Sequence, residues 1–350
     1  MAPFANLNTA WFALIGVLWA GFLFLEGFDF GVAVVTPFLV HDDTDRRLCL
    51  NAVGPTWDGN EVWLLVAGGA TFAAFPTWYA RLFSGFYLAL FLILLALIAR
   101  GVSFEFRDKL DSARWKTAWD RANFLGSLVP AVVLGVTFTD LAHGLPLSPG
   151  GRYYGGILGL LHPIALLGGF ASLAVFCMHG SVFLSLKTTG DLALRARRAA
   201  RLLAVPAFVL LAATVAWVAA TGRPAIGGSL PSAIPLVLGL VALFSLAVAA
   251  ACIGARRDGF AFAATASTIL LATGAVFARM FPAVLPSSGI SAHSLTIGAA
   301  SAGHSTLVVM TVVAAIFTPV VLAYQAWTYW VFRQRLIRPP LASEGGPVHA

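Results

Sequence analysis

Four acidic residues stand in two pairs close to the start of the chain. Glu26 and Asp29 lie within EGFDFGV, and Asp58 and Glu61 lie within GPTWDGNEVWLL. Each pair is spaced i, i+3, which places both side chains on one face of a helix. A charged side chain at the centre of a membrane helix costs about 2.5–3.5 kcal/mol. We therefore expect all four carboxylates to face a bundle interior, a water-filled cavity or a protein partner.

Crowded carboxylates at low dielectric can bind and pass protons near neutral pH, and intramembrane acidic residues often mark proton paths. The first two helices are joined by a short connection, so we expect antiparallel packing. Asp58 would then lie nearest the cytoplasm, Glu61 level with Asp29, and Glu26 deepest. The sequence predicts a proton path along these four residues, with Arg100 as a candidate counter-charge. The alternatives are helix capping for the carboxylates and snorkelling for Arg100.

The remaining chemistry-bearing residues give weaker indications. Trp57, next to Asp58, is a candidate contact for quinone or a partner, although aromatic residues at span ends are usually interface anchors. No segment carries two histidines at haem-ligating spacing, so we expect no haem ligand in this chain. His162 with His304 is the alternative pair. The three cysteines are far apart in sequence, which predicts neither a zinc site nor a disulfide framework.

Composition predicts the elements that must position these residues. The chain is 59% hydrophobic and 11% charged, whereas soluble domains carry about 25% charged residues. Apolar runs of about 20 residues recur, long enough to cross a bilayer. We predict an all-α transmembrane helix bundle with nine spans, or eight if the second is not a crossing. The spans are placed at about 9–40, 50–75, 78–100, 120–142, 155–186, 200–220, 231–253, 260–282 and 303–332.

Basic residues alternate between the connections. All but four of the 22 basic residues fall on one side of a nine-span bundle; the exceptions are Arg81, Arg152, Arg223 and Arg279. The positive-inside rule assigns that side to the cytoplasm. We therefore predict a periplasmic N-terminus and a cytoplasmic C-terminus. The net charge of +7 then reflects membrane orientation, and no nucleic-acid partner is expected.

The domain organisation is simple. We expect one transmembrane domain over residues 1–338 and a cytoplasmic tail over residues 339–350. Beyond the two pairs above, the other acidic residues are expected in connections, in the tail or near span ends, where water can reach them.

Several motifs carry a family resemblance. EGFDFGV, WDGNEVW followed by AGGATFAAFP, RGVSFEFRDK, RWKTAWD and FPAVLPSSGISAHSLT resemble, in order, subunit II of the cytochrome bd quinol oxidases, including the cyanide-insensitive type. The resemblance covers nearly the whole chain. Asp29 and Asp58 match acidic positions of that family, and Arg100 matches the basic residue at the end of its third helix. Glu26 stands where relatives often have Asp.

The resemblance implies a non-haem subunit of an oxidase in the bacterial cytoplasmic membrane. In that family, subunit I holds haem b and haem d and carries the site where quinol is oxidised while O₂ is reduced to water. We therefore expect this chain to ligate no cofactor or metal and to be inactive alone. Its expected partners are subunit I, a small single-helix accessory subunit, membrane lipids and quinone.

Two other classes of protein remain as alternatives. A proton-coupled membrane transporter would also use paired carboxylates, although such proteins often show internal repeats, and no convincing repeat occurs here. A haem-bearing cytochrome is disfavoured by the positions of the histidines. Dependence on a partner protein distinguishes the oxidase subunit from both.

Overall fold

The computed structural model describes residues 6–221 and 233–338. The predicted tail, 339–350, lies outside the described residues. Within them the chain forms a bundle of helices with two small β-hairpins. The helices, in chain order, are α1 (Leu7–Leu39), α2 (Asp43–Val53), α3 (Trp57–Ala74), α4 (Pro76–Gly85), α5 (Tyr87–Phe106), α6 (Ala113–His143), α7 (Gly156–Gly159), α8 (Pro163–Lys187), α9 (Gly190–Thr221), α10 (Ala233–Gly254), α11 (Asp258–Met280), α12 (Ile297–Ala300) and α13 (His304–Val331).

Both hairpins lie at one end of the bundle, here called the hairpin end. Strands β1 (Leu147–Ser148) and β2 (Arg152–Tyr153) pair antiparallel, as do β3 (Ala283–Leu285) and β4 (Leu295–Thr296). The Leu145 amide donates to the Pro286 carbonyl at 2.8 Å, which ties the two hairpin regions together. The start of α1 lies at the same end, because Trp11 Nε1 donates to the Leu307 carbonyl at the start of α13.

The opposite end, here called the basic end, holds the connections rich in arginine. Ion pairs join these connections, for example Arg197 to Asp258 at 2.6 Å and Arg195 to Asp45 at 2.6 Å. Residues 332–338, here called the C-terminal strap, also lie there, since the Leu336 amide donates to the Lys187 carbonyl. The beginning of α1 and the strap after α13 are therefore at opposite ends of the bundle.

Helix α1 forms the centre of the bundle and contacts α3, α6, α8 and α11. Its second half is buried continuously from Leu25 to Thr36. Large apolar side chains fill the space around it, among them Phe22, Phe28 and Phe30, which are fully buried. A helix that is apolar all round suits such a central position. Its two carboxylates are consequently carried into the interior.

Eight helices of the described ranges are long and apolar enough to cross a membrane, and α3 is not one of them. The chain is thus a multi-pass, all-α membrane protein. Helix α3 nevertheless runs antiparallel to α1: Trp63 packs at Gly21, and the Ala74 carbonyl accepts from the Ala302 amide at the hairpin end. Its 18 residues extend about 27 Å at 1.5 Å per residue. Nine crossings stay a prediction.

Three predicted span boundaries were wrong. The predicted span 50–75 is interrupted between α2 and α3 at Gly54–Pro55–Thr56, where proline supplies no amide donor for a continuing helix. The predicted span 78–100 is divided at Phe86 between α4 and α5, and α5 continues to Phe106. The predicted span 155–186 begins only at Pro163, because the short helix α7 and the residues that follow it occupy its apolar start. Apolar composition alone could not separate these short elements from the spans.

Candidate functional site

Three carboxylates converge on one buried arginine. Nη1 of Arg100 lies 2.9 Å from Glu26 Oε2 and 3.1 Å from Glu61 Oε2, and Nη2 lies 3.9 Å from Asp29 Oδ2. The Arg100 side chain is 0% exposed, so it does not snorkel. Helices α1, α3 and α5 each contribute to this group. Glu26, Asp29, Glu61 and Arg100 are called the carboxylate cluster below.

A second polar contact holds Asp29 from the side of α3. Asn60 Nδ2 donates to Asp29 Oδ2 at 2.7 Å. The Asn60 carbonyl oxygen in turn accepts from Tyr329 Oη at 2.8 Å and from Gln325 Nε2 at 3.1 Å. Both donors belong to α13. Asn60 is not among the site residues predicted from the sequence, and it connects the last helix to the cluster.

Aromatic rings surround the guanidinium. The Arg100 Cζ atom lies 5.1 Å from the ring centre of Phe30, 5.7 Å from Phe104 and 5.9 Å from Trp57. Trp57 stacks on Phe104 with 4.9 Å between ring centres. Cation–π contacts of this kind contribute about 0.5–2 kcal/mol each. Trp57 thus has a contact within the chain, and its contact with quinone or a partner stays a prediction.

The charge balance of the cluster is its main chemical property. Three ionised carboxylates against one guanidinium would leave two uncompensated negative charges in a buried site. Glu26 Oε1 and Asp29 Oδ1 have no hydrogen-bond partner among the described residues. Because an uncompensated buried charge is very costly, the cluster is suited to binding protons and releasing them in turn.

Asp58 lies apart from this cluster. It is exposed at the start of α3, three residues before Glu61. The Glu61 side chain is 25% exposed, whereas those of Glu26 and Arg100 are 0% exposed. Glu61 therefore reaches from the cluster toward the surface on which Asp58 stands. The structure brings three of the four predicted carboxylates together around Arg100.

The expectation that water reaches the remaining acidic residues was wrong for three of them. Asp45, Asp140 and Asp258 are all buried. Tertiary packing covers them: Arg195 and Arg197 bind the first and last of these, and His162 Nε2 lies 2.7 Å from Asp140 Oδ1. The i, i+3 spacing of Asp140 and His143 near a span end was a signal that could have singled out this region.

The basic end carries ionised carboxylates. The Asp45 amide and the Arg338 guanidinium hold the pKa of the Asp42 carboxyl below its usual value. Burial opposes ionisation of Asp43, but the Arg107 guanidinium, 2.5 Å away, outweighs it and lowers the pKa of that carboxyl. Asp42, Asp43 and Arg107 line a polar cavity of about 470 Å³ between the ends of α1, α5 and α6. This end therefore presents fixed charges at neutral pH.

No group of three or more His, Cys, Asp or Glu side chains in the described ranges could hold a metal ion. His162 faces Asp140, and His304 begins α13. Cys49, Cys177 and Cys252 are free thiols. The expected absence of a cofactor ligand in this chain stays a prediction.

The chain matches a known protein family over nearly its whole length. A family model described as cytochrome bd terminal oxidase subunit II matches residues 7–332. Cytochrome bd ubiquinol oxidase subunit 2 of Bacillus subtilis (strain 168) is 42% identical over 333 residues, 95% of this chain and 97% of that protein. Cytochrome bd-I ubiquinol oxidase subunit 2 of Escherichia coli (strain K12) is 36% identical over 368 residues, 97% of each chain. A probable cytochrome oxidase subunit 2 of Haemophilus influenzae is 35% identical over 360 residues, 94% of this chain and 95% of that protein.

Proposed function

Because the chain belongs to the cytochrome bd terminal oxidase subunit II family, we propose that it is the haem-free subunit of a quinol oxidase and delivers protons to a haem-bearing partner. It is one component of the oxidase complex. In this proposal, quinol is oxidised and O₂ is reduced to water in the partner, subunit I, which holds haem b and haem d. This chain has no activity alone.

The carboxylate cluster is the observation that carries the proposal. Reduction of O₂ to water consumes protons, and these must cross protein of low dielectric. Glu26, Asp29 and Glu61 are close enough to Arg100 to share its charge, so a proton can enter the cluster without leaving an isolated charge. Delivery from the cytoplasm makes the reaction electrogenic without a pump.

The route begins at the exposed carboxylate. Asp58 takes a proton on the surface of α3, the half-buried Glu61 accepts it, and Asp29 and Glu26 pass it inward. The decreasing exposure from Asp58 through Glu61 to Glu26 supports this order. Arg100 holds the three inner carboxylates together and limits their repulsion.

Subunit I is proposed to cover the face formed by α3, α5 and α13, here called the partner face. Asp58 is exposed on it, and a carboxylate facing lipid would be costly. Only 6% of the apolar window of α13 is buried within the chain. A protein partner on this face would shield Asp58 from lipid. It would also bring Trp57 and Glu61 close to the interface. Quinone or a small single-helix accessory subunit would bind elsewhere on the lipid-exposed surface.

The proposed location is the bacterial cytoplasmic membrane, with the basic end in the cytoplasm. The arginine-rich connections at that end support this orientation. The start of α1 and the C-terminal strap lie at opposite ends of the bundle, which supports an odd number of crossings and so the inclusion of α3. The N-terminus would then be periplasmic and the C-terminus cytoplasmic.

The test is quinol-driven O₂ consumption by the purified complex carrying Asp58→Asn, Asp29→Asn or Glu61→Gln. Because an amide cannot carry the proton, we expect turnover to fall at least about tenfold in each variant, equivalent to about 1.4 kcal/mol in the barrier. Reduced-minus-oxidised spectra should keep the haem bands, which establishes that the complex has assembled. Glu105→Gln is the matched control: it is an exposed carboxylate near the basic end of α5, and its variant should keep full turnover.

Two results would overturn the proposal. Full turnover in both Asp58→Asn and Asp29→Asn would exclude the proton path. Copurification of no haem protein with the chain, together with proton-coupled uptake of a solute, would favour the transporter.

A further inference from the structure

A buried carboxyl on α6 and an imidazole lie close together at the hairpin end, away from the carboxylate cluster. Asp140 lies in the last turn of α6 and its side chain is 1% exposed. His162, the residue before α8, is half-buried, and its Nε2 lies 2.7 Å from Asp140 Oδ1. Neither Asp140 carboxyl oxygen has a hydrogen-bond partner among the described residues. The proposed proton path uses neither residue.

A histidine, a tyrosine and an arginine lie around this pair. The His143 ring, also on α6, lies 5.3 Å from the His162 ring between centres. Tyr153 of β2 faces the pair, and burial together with the Asp140 charge raises the pKa of its hydroxyl to about 12, so it stays neutral. Arg279 of α11 lines an apolar cavity beside Thr139 and Ala142. Burial and the neighbouring His143 lower the pKa of the His162 imidazole.

The two side chains are close, but their geometry leaves the carboxyl without a hydrogen bond. Nε2 and Oδ1 are 2.7 Å apart, near enough to exchange a proton, yet Oδ1 has no hydrogen-bond partner among the described residues. With a neutral His162 and an ionised Asp140, the pair carries one negative charge on a carboxylate that is almost completely desolvated, which is costly. One additional proton makes the pair neutral and removes that cost. His162 is 31% exposed, so the proton can exchange with solution.

We propose that Asp140 and His162 form a proton-binding site that takes up one proton from the solution at the hairpin end. The protonated, neutral pair holds the connection 144–162 and the start of α8 against α6. By the charge rule this end faces the periplasm, so the site responds to the external pH and not to the cytoplasm. It is separate from the carboxylate cluster and needs no electron transfer.

The sign of the pH dependence follows from proton linkage. Above about pH 6.5 an unfolded histidine and an unfolded aspartate have both lost their protons. The folded pair still holds one, so from that pH up to the pH at which the pair titrates the folded complex binds one more proton than the unfolded chain does. Stability therefore falls as the pH rises, by up to about tenfold per pH unit in the unfolding equilibrium. Asp140→Asn keeps an uncharged side chain of the same shape that can donate to His162 Nε2. It should abolish this part of the pH dependence.

The experiment measures infrared difference spectra and melting temperatures of the purified complex from mildly acidic to alkaline pH. In the wild-type complex we expect a protonated-carboxyl or imidazolium band that disappears as the pH rises, together with a falling melting temperature. Asp140→Asn should lack the band and show a flatter melting profile. His162→Gln should alter the pH at which the Asp140 carboxyl loses its proton.

His143→Gln is the matched control, because His143 lies one turn from Asp140 on α6 and its ring centre is 5.3 Å from that of His162. It should keep the titrating band. Identical titrations of the wild-type and Asp140→Asn complexes would overturn the proposal, since Asp140 would then be a permanently ionised carboxylate beside His162. Turnover is not the readout, so failure of the proposed proton path would leave this result unaffected.

Discussion

At the scale of residues, Arg100 combines contacts to three carboxylates with contacts to three aromatic rings. Its planar guanidinium contacts Glu26 and Glu61 through one nitrogen and approaches Asp29 through another. Phe30, Trp57 and Phe104 surround the same group. A guanidinium stays protonated under all physiological conditions and offers donors in a fixed fork. Arg100 can therefore keep a constant charge while the carboxylates around it gain and lose protons.

Replacement of Arg100 should affect stability and turnover differently according to the substitute. Arg100→Gln leaves buried carboxylates without a cation, which costs about 3–5 kcal/mol, so we expect a lower melting temperature or loss of the assembled complex. Arg100→Lys keeps the charge but cannot span Glu26 and Glu61 with a planar fork. It should assemble and lose about tenfold or more in turnover. Melting curves and O₂ consumption check both, and a fully stable, fully active Gln variant would contradict the structural role.

At the scale of elements, the crossing of α1 and α8 positions the acidic face of α1. Gly31 and Gly180 lie where the two backbones meet: a Cβ on Gly31 would collide with the Phe176 carbonyl, and a Cβ on Gly180 would collide with the Val32 amide. Small residues allow such close approach between membrane helices. Gly31 lies two residues after Asp29, so the crossing also determines how Asp29 faces Asn60 and α3.

A larger side chain at this crossing should disrupt the bundle. Gly31→Val places branched carbons against the α8 backbone, and α1 cannot shift away without moving Asp29. We expect a large loss of assembled, haem-containing complex in detergent, measured by size-exclusion chromatography with haem absorption. Gly274→Ala is the matched control, because a Cβ at Gly274 of α11 meets no atom within 4 Å. Equal yields of the two variants would show that the close crossing is unimportant.

The C-terminal strap explains how a helix with little burial keeps a defined position. Lys187 Nζ donates to the carbonyls of Phe332 and Gln334, and Arg338 bridges Asp42 and Asp45. The strap therefore ties the end of α13 to the connections after α1 and α8. This attachment keeps Tyr329 and Gln325 within reach of Asn60.

At the scale of the whole molecule, two surfaces are exposed and they differ in polarity. The partner face carries Asp58 and Glu61 beside the apolar side of α13. The opposite surface, formed by α9 and α10, exposes apolar side chains such as Val209 and Phe244. Contact with lipid costs free energy where a surface carries charged side chains, so it would be unfavourable only for the partner face. This asymmetry is the reason for assigning the protein partner to α3, α5 and α13.

Cross-linking should distinguish the two surfaces. Phe317→Cys on α13 and Phe244→Cys on α10 replace phenylalanines that are 59% and 69% exposed. With a short photoactivatable thiol reagent in native membranes, we expect a cross-link to the haem-bearing subunit from position 317 and none from position 244. The same reagent on the wild-type chain controls for Cys49, Cys177 and Cys252. A cross-link from position 244 alone would move the partner to the α9–α10 surface.

Much of this protein could be predicted from its sequence. Apolar runs, the alternation of basic connections and a few motifs indicate a multi-pass helical protein, and the family comparisons confirm the cytochrome bd subunit II resemblance. These properties are local: hydropathy depends on neighbouring residues, and EGFDFGV or WDGNEVW can be recognised without a fold. The grouping of Glu26 with Asp29, and the candidate role of Arg100, followed from helical spacing and from the resemblance.

Only the tertiary structure decided which charged residues meet. It joined three of the four predicted carboxylates to Arg100, left Asp58 on the surface, and brought Tyr329 and Gln325 to Asn60 across more than 260 residues of sequence. It also buried Asp140 against His162, a contact that hydropathy could not predict. The physical reason is that burial and ion pairing depend on how helices cross in space. Those crossings are set by side-chain volumes at contacts such as Gly31 and Gly180, which no local pattern records.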